Sequence, residues 1–208
     1  LHAVDDVSFT IPQGGMTAIV GPSGGGKTTI TRLISRFWDI QGGSITIGGK
    51  DVREFTSDSL LKNMSMVFQN VYLFKDTIEN NIKFGCPEAS HEQVVEAAKK
   101  ARCHDFISLL PEGYNTMIGE GGSTLSGGEK QRVAIGSAIA SDKKILIFDE
   151  PTNDLDIATL TVLEDYLDEF SGAVIIVSHD RYFLDRLCQR TFAFEGNGVV
   201  KHYPGGYT

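Results

Sequence analysis

The pattern of apolar and polar positions predicts an α/β fold in which short buried strands alternate with amphipathic helices. Largely apolar runs of this kind indicate strands that are covered on both faces, as in a parallel sheet. Such runs occur at Met16–Val20, Met64–Phe68, Ile145–Phe148 and Ala173–Val177. Between the last two, apolar residues recur at helical spacing from Asp156 to Phe170, which predicts a βαβ unit.

A glycine-rich loop follows the first strand and leads into a helix. The loop runs from Gly21 to Gly26, and the spacing is helical from Lys27 onward. The predicted apolar face of this helix consists of Ile30, Leu33, Ile34 and Phe37. Strand, loop and helix in this order are typical of phosphate-binding sites.

The next part of the chain predicts two smaller structural elements. Ser44–Ile47 alternates apolar and polar residues as a half-buried strand does, and Gly48–Gly49 predicts a turn into Asp51–Val52. We therefore expect a small antiparallel β part. Residues 72–110 have mainly helical spacing and lack strong strand patterns. The α/β core is thus expected to be interrupted by a helical insert.

The charge balance makes a nucleic-acid partner unexpected. The 208 residues include 19 Lys and Arg against 27 Asp and Glu, a net charge of −8, and the cations form no stripe. No apolar run approaches the roughly 18 residues of a membrane span, and the first residues lack a signal-peptide pattern. Three scattered cysteines without metal-site spacing fit a reducing compartment. We expect a cytoplasmic protein.

Residues 21–28 match the phosphate-binding motif G-x-x-x-x-G-K-[ST], known as Walker A. Glycines let successive backbone N–H groups face one anion, and the helix N-terminus adds its dipole. Lys27 would bring a positive charge to the β- and γ-phosphates of a nucleotide, and the Thr28 hydroxyl would be a Mg²⁺ ligand. The predicted nucleotide-binding residues of this loop are Gly21, Pro22, Ser23, Gly24, Gly25, Gly26, Lys27, Thr28 and Thr29.

Two carboxylates at the end of a buried strand extend this prediction. Asp149 and Glu150 directly follow Ile145–Phe148. Asp149 is placed to hold Mg²⁺, directly or through water, and Glu150 would lie beside the γ-phosphate, where a general base is needed. Asp-Glu at a strand end is common on protein surfaces, but together with a phosphate-binding loop it indicates a catalytic site.

A second phosphate-type element lies far along the chain from the first. Leu125–Glu129 reads Leu-Ser-Gly-Gly-Glu and precedes a helical pattern. One ATP does not need two such elements from one chain, so two chains arranged head to tail would each supply one element to each nucleotide. Alternatively, Ser126 is only the N-cap of the helix that follows.

These motifs, in this order, resemble the nucleotide-binding domain of ATP-binding cassette (ABC) proteins over essentially the whole chain. The resemblance implies a P-loop NTPase fold of ABC type, with a mainly parallel core sheet, flanking helices, a small antiparallel β part and a helical insert. It implies a single domain over residues 1–208, with a core at about 1–70 and 136–208 and a helical subdomain at about 71–135.

The resemblance also implies roles for residues outside the Walker A loop. Gln69 matches the Q-loop glutamine, which would join the metal and water network, and His179 matches the switch histidine, which would sense the γ-phosphate. The signature residues Ser126, Gly127 and Gly128 would face the γ-phosphate held by a second chain. The implied catalytic residues are Lys27, Gln69, Glu150 and His179, and the implied metal ligands are Thr28, Gln69 and Asp149.

Two branches of the family resemble different parts of the chain. Up to about Ile135, segments such as Phe68–Phe74 look like bacterial ABC exporters, in which aromatic residues of the Q-loop meet a membrane domain. Later segments, such as Val174–Asp185 and Tyr203–Tyr207, look like the soluble ABC-F branch, which acts on ribosomes. One hypothesis is therefore an engineered or recombined chimera, joined between the signature helix and the strand at 145–148.

Three departures from the family pattern favour weak hydrolysis. The aromatic residue that stacks on adenine in this family would precede Leu1. Gly136 lies inside the helix after the signature, where glycine costs about 1 kcal/mol relative to alanine. Asp154, in the segment 153–156 that matches the D-loop, places a further negative charge near the expected dimer interface.

We expect this chain to bind and hydrolyse Mg-ATP as an ABC-type ATPase domain that acts as a head-to-tail homodimer. A transporter origin would add a membrane-domain partner and a position at the inner face of the membrane. The alternative is a chimeric P-loop scaffold that binds nucleotide with little or no hydrolysis.

Overall fold

The computed structural model describes residues 4–152, 155–196 and 199–206, apart from the side chains of Ala158 and Val162. The chain divides into two units. The first, here called the core unit, comprises residues 1–65, 143–150 and 171–208; the second, the helical unit, comprises 66–142 and 151–170. The domain boundaries implied by the family resemblance stay a prediction.

A six-stranded sheet organises the core unit. Its strands are β1 (Met16–Val20), β4 (Met64–Val67), β5 (Ile145–Asp149), β6 (Ala173–Val177), β7 (Arg190–Gly196) and β8 (Val199–Pro204), in the order β4-β5-β6-β1-β7-β8. Of β4, only residues 64 and 65 belong to the core unit. β1 pairs in parallel with β6 and β7, and β5 with β6. All of β1 and the last four residues of β5 and β6 are buried, which explains their continuous apolar sequences.

Among its described residues, the core unit also contains three α-helices and a small two-stranded sheet. The helices are α1 (Lys27–Ile34), α2 (Ser57–Leu61) and α8 (Arg181–Leu187). The small sheet pairs β2 (Thr46–Ile47) with β3 (Lys50–Asp51) in antiparallel fashion. The mixed α/β fold with a mainly parallel sheet and a small antiparallel part, predicted from the sequence, is thus confirmed.

The helix after the glycine-rich loop is shorter than predicted. α1 ends at Ile34, and only Ile30 of the predicted apolar face is fully buried. Arg36 adopts a left-handed φ of 54°, which the helix cannot continue through, and its Nη1 donates to the Phe55 carbonyl at 2.6 Å. Phe37 therefore lies beyond the helix with 48% of its surface exposed, and its assignment to the apolar face was wrong.

The small β part also differs at its ends. Its first strand contains only two residues, and Val52, predicted as a strand residue, begins a 3₁₀ helix that extends to Glu54. The carboxylate of Asp51 accepts a hydrogen bond from the Arg53 N–H at 2.9 Å and so caps this turn. The local cap ends the strand before Val52.

The described residues of the helical unit include five α-helices. They are α3 (Ile78–Lys83), α4 (His91–Lys100), α5 (His104–Leu109), α6 (Gly127–Ala140) and α7 (Ile157–Glu169). α6 packs against α3 and α4, and α4 also packs against α7. Their shared core contains fully buried aliphatic side chains, among them Ile78, Ile82, Val94, Ile107 and Val133.

Two glycines of the helical unit differ in the space beside them. A Cβ added to Gly136, inside α6, would lie 3.5 Å from the Ala101 Cβ and 3.6 Å from the Cys103 Sγ, which are ordinary contact distances. A Cβ added to Gly85 would collide with the carbonyl oxygen of Ser137. The close approach of the backbone to α6 thus requires glycine at 85, whereas position 136 has room for alanine.

We expect Gly136→Ala to stabilise the protein by roughly 0.5–1 kcal/mol, because alanine reduces the entropy of the unfolded chain and favours the helix. Urea denaturation measures this change. Gly85→Ala is the matched control, and the collision with Ser137 should make it destabilising. A lower stability of Gly136→Ala would show that α6 has no room for the methyl group.

Candidate functional site

The loop between β1 and α1 has a backbone that requires glycine. Gly21, Gly24 and Gly26 have φ values of 148°, 78° and 92°, a region that other residues rarely adopt. A side chain at Gly21 would also collide with the Phe194 carbonyl. Gly26 is the N-cap of α1 and provides no side-chain acceptor for the first N–H groups of the helix. These groups are the donors that an anion at a helix N-terminus binds.

The side chain of Lys27 folds back over this loop. Lys27 is 7% exposed, and its Nζ donates hydrogen bonds to the carbonyl oxygens of Gly21 at 2.8 Å and Pro22 at 2.9 Å. These two hydrogen bonds therefore fix the ammonium group against the first residues of the loop. The arrangement places a positive charge over the loop, where an anion would bind.

Thr28 and Asp149 connect the loop to the end of β5. The Thr28 hydroxyl donates to the Asp149 Oδ1 at 3.4 Å. Burial raises the pKa of Asp149, although the hydrogen bond from Thr28 opposes this shift. A hydroxyl and a carboxylate are oxygen ligands of the kind that Mg²⁺ prefers. The donor set at this position therefore fits a magnesium ion bound together with a nucleotide.

Glu150 is held in a strained conformation beside His179. Its φ is 53°, and its N–H donates to the Val177 carbonyl at 2.7 Å. Its Oε2 accepts from the His179 backbone N–H at 3.3 Å, and its Oε1 lies 3.0 Å from the His179 Nε2. A left-handed backbone at a non-glycine residue persists only where its surroundings enforce it, and such residues cluster at active sites.

The carboxyl of Glu150 lies in a buried setting, whereas the ring of His179 is exposed. Glu150 is 6% exposed, and burial raises its pKa above the usual 4.5, more than the neighbouring His179 lowers it. The His179 side chain is 60% exposed. A carboxylate with a raised pKa accepts a proton more readily, as a general base does.

The structure thus brings together five predicted site residues in the core unit, namely Lys27, Thr28, Asp149, Glu150 and His179. Gln69 and the signature residues belong to the helical unit, so their approach to a nucleotide stays a prediction. Asn153 and Asp154 of the D-loop match lie outside the described residues.

The signature residues form the N-terminus of α6. Ser126 is its N-cap, and Ser126 and Glu129 form a reciprocal capping box. The Ser126 Oγ accepts from the Glu129 N–H at 3.4 Å, and the Ser126 N–H and O–H each donate to the Glu129 Oε2 at 2.8 Å. The predicted N-cap role of Ser126 is therefore present. Ser126 and Gly127 are both exposed, and so is Gln69, which follows β4.

A cleft of about 560 Å³ in the core unit begins at the phosphate-binding loop and His179. It includes residues that the sequence motifs did not predict, and all of them except Arg181, the first residue of α8, lie on strands that the sheet order brings beside the loop. These residues are Arg181, Thr191, Ala193, Glu195 and Tyr203. The alternation of side chains along β7 was the available sequence signal.

Three aromatic side chains of the helical unit form an exposed cluster. Tyr72, Phe74 and Phe84 are 58%, 46% and 67% exposed. The rings of Tyr72 and Phe74 meet edge to face at 5.8 Å, and those of Phe74 and Phe84 lie 4.6 Å apart. Contiguous exposed aromatic surface of this kind marks interaction sites.

A family profile described as ABC transporter matches residues 4–153. The chain belongs to the ABC transporter family. It is 44% identical over 180 residues to an ATP-dependent lipid A-core flippase of Vibrio cholerae, covering 85% of this chain and 31% of the flippase. A serine protease/ABC transporter B family protein of Dictyostelium discoideum is 42% identical over 178 residues, covering 85% of this chain and 10% of that protein.

A solved structure of a bacterial Atm1-family ABC exporter with ATP bound has the same fold. It superimposes with a TM-score of 0.91 at 38% identity, covering 98% of this chain and 36% of the exporter chain. This ABC domain is accordingly an ATPase domain related to those of exporters. Because one exporter structure matches 98% of the length of the present chain, the comparisons give no support to a chimera.

The ABC domain spans about a third or less of the flippase and the Dictyostelium protein. In the part of the chain that the structure describes, no helix is both long enough and apolar enough to cross a membrane.

Burial of Glu150 makes the stability of the ABC domain depend on pH. The native state binds this proton more tightly than the unfolded chain does, so stability falls as pH rises from the usual 4.5 through the raised pKa of Glu150. At pH values above the raised pKa, we expect Glu150→Gln to raise the melting temperature. At pH values well below 4.5, we expect the substitution to have little effect.

Asp76→Asn is a control of opposite sign. Hydrogen bonds from the Asn80 side chain and the Thr77 N–H hold the pKa of Asp76 below the usual 3.8. Asp76→Asn should therefore lower the melting temperature at neutral pH, with an effect that disappears in acid. Thermal denaturation across a pH series measures both variants, and a destabilised Glu150→Gln at neutral pH would contradict the expectation.

Proposed function

We propose that the phosphates of Mg-ATP bind in the loop between β1 and α1. The first N–H groups of α1 and the charge of Lys27 would hold the β- and γ-phosphates. The glycine backbone and the position of the Lys27 ammonium over the loop support this proposal. Pro22, Ser23 and Thr29 would complete the contacts of the loop.

We propose that Thr28 and Asp149 hold the magnesium ion, with Gln69 joining its water network. When bound, the ion would offset the negative charge of the transferred phosphoryl group. The hydrogen bond between Thr28 and Asp149 supports the shared role of these two residues. Asp149 is 2% exposed, so a cation beside it would offset the unfavourable burial of its carboxylate.

Glu150 is the proposed general base that takes a proton from the attacking water, and His179 orients the γ-phosphate. The observation that carries this proposal is the double contact between Glu150 and His179, one residue away from the Asp149–Thr28 pair. The two contacts fix the carboxylate, and the raised pKa of Glu150 makes it a better proton acceptor.

The ABC domain would act as a head-to-tail homodimer, in which Ser126, Gly127 and Gly128 of one chain face the γ-phosphate on the other. The exposure of Ser126 and Gly127 at a helix N-terminus supports this arrangement. The capping box already uses the Ser126 O–H, which donates to Glu129, so a hydrogen bond to the phosphate would require this hydroxyl to turn away from Glu129.

The likeness to exporters supports a second partner, a membrane domain that would contact the aromatic cluster of Tyr72, Phe74 and Phe84. This partner would place the ABC domain at the cytoplasmic side of a membrane. The net charge of −8 disfavours a nucleic-acid partner.

Glu150→Gln should abolish ATP hydrolysis and leave ATP binding intact, because the amide cannot accept the proton but keeps the size of the side chain. Phosphate release measures turnover, and equilibrium binding of a fluorescent ATP analogue measures affinity. Glu96→Gln, on the exposed face of α4, is the control and should retain wild-type turnover. Undiminished hydrolysis by Glu150→Gln would remove Glu150 from its proposed role.

A further inference from the structure

Arg132 is an unusual cation of the helical unit. It lies on α6, six residues after Ser126, and its side chain is only 17% exposed. The centre of its guanidinium group is 5.5 Å from the ring centroid of Phe106 on α5. Its Nε is buried without a hydrogen-bond partner among the described residues.

The negative charge that balances Arg132 comes from Asp156. The Nη1 of Arg132 is 3.7 Å from the Asp156 Oδ2. The thiol of Cys103 also interacts electrostatically with Arg132. Burial raises the pKa of this thiol to about 12, so the thiol is neutral at physiological pH and does not balance the charge of Arg132. Asp156 is 63% exposed and can remain charged in water.

Asp156 uses its two oxygens for different purposes. Its Oδ1 accepts from the Thr159 N–H at 2.7 Å and caps α7, while its Oδ2 faces Arg132. The carboxylate therefore joins the first turn of α7 to α6. In the chain, α7 begins seven residues after Glu150, and α6 begins with the signature residues.

Stability alone does not account for an arginine at this position. A mostly buried guanidinium with one unpaired N–H loses hydration that a single exposed carboxylate, 3.7 Å from the Nη1, only partly replaces. An apolar side chain of similar length would pack on Phe106 without that loss. The arginine thus has a use other than holding the fold.

We propose that Arg132 is a positioning residue for ATP hydrolysis, which fixes the signature end of α6 to the start of α7 through Asp156. This inference rests on the proposed function, since it requires the signature residues to complete an ATP site. It extends the set of functional residues to Arg132 and Asp156, neither of which would touch the nucleotide.

The test compares Arg132→Met, Asp156→Asn and the double variant in the full chain. Methionine is an unbranched apolar side chain that can pack near Phe106, and asparagine caps a helix as well as aspartate does, so we expect both variants to retain the fold. We expect kcat to fall about tenfold in each single variant, as for small displacements of reacting groups. Affinity for a fluorescent ATP analogue should stay unchanged, and the melting temperature of Arg132→Met should not fall.

The double variant should be no slower than either single variant, because the two residues act through one contact. Lys99→Met, which breaks the exposed Lys99–Glu96 pair on α4, is the control and should keep wild-type kcat. Additive losses in the double variant, or a melting temperature of Arg132→Met that falls with kcat, would overturn the inference. If the wild-type chain itself is inactive, the proposed function fails. If the wild-type chain is active but the variants do not behave as expected, only the inference about Arg132 fails.

Discussion

The burial of two adjacent carboxylates at the end of β5 is the constraint on which the site depends. Asp149 and Glu150 are 2% and 6% exposed, and a buried carboxylate is unfavourable unless cations or hydrogen-bond donors surround it. Thr28, His179 and the charge of Lys27 supply these interactions. The glycine-rich loop, the start of α1 and the end of β6 must therefore meet at this point.

This constraint connects the fold to the chemistry of the ABC domain. The parallel register of β5, β6 and β1 brings their carboxyl ends to one edge of the sheet, where ligands of open α/β sheets bind. The raised pKa values of Asp149 and Glu150 mark the same edge as the place where a cation would be most favourable. The magnesium ion of Mg-ATP would offset the unfavourable burial of these two carboxylates.

Sequence patterns predicted the elements whose structure follows from local chemistry. β1, β5 and β6 were predicted because buried parallel strands have continuous apolar sequences, and the Walker A loop because its backbone needs glycine. The end of α1 was not predicted, since it depends on the left-handed Arg36 and its bond to Phe55. β8 was missed because it is an edge strand with mostly exposed residues, and the cleft residues depend on sheet order.

Two interpretations of Ser126 were predicted, and the structure tests one of them. The sequence left open a helix cap or a phosphate contact, and the capping box establishes the first. An exposed N-cap is also the place where a helix N-terminus meets an anion. In the proposed composite site the Ser126 O–H would turn from Glu129 to the phosphate, while its oxygen still accepts from the Glu129 N–H. Only a second chain can test this arrangement.

That test mixes two variants that are each defective in a different half of the site. Lys27→Ala removes the phosphate-binding charge, and Ser126→Asp keeps the helix cap but places a carboxylate against the γ-phosphate. In a head-to-tail heterodimer, one site combines the intact loop of one chain with the intact signature of the other. We predict that each variant alone is inactive and that their mixture regains ATPase activity. A mixture that stays inactive, although both variants are folded, would contradict the shared site.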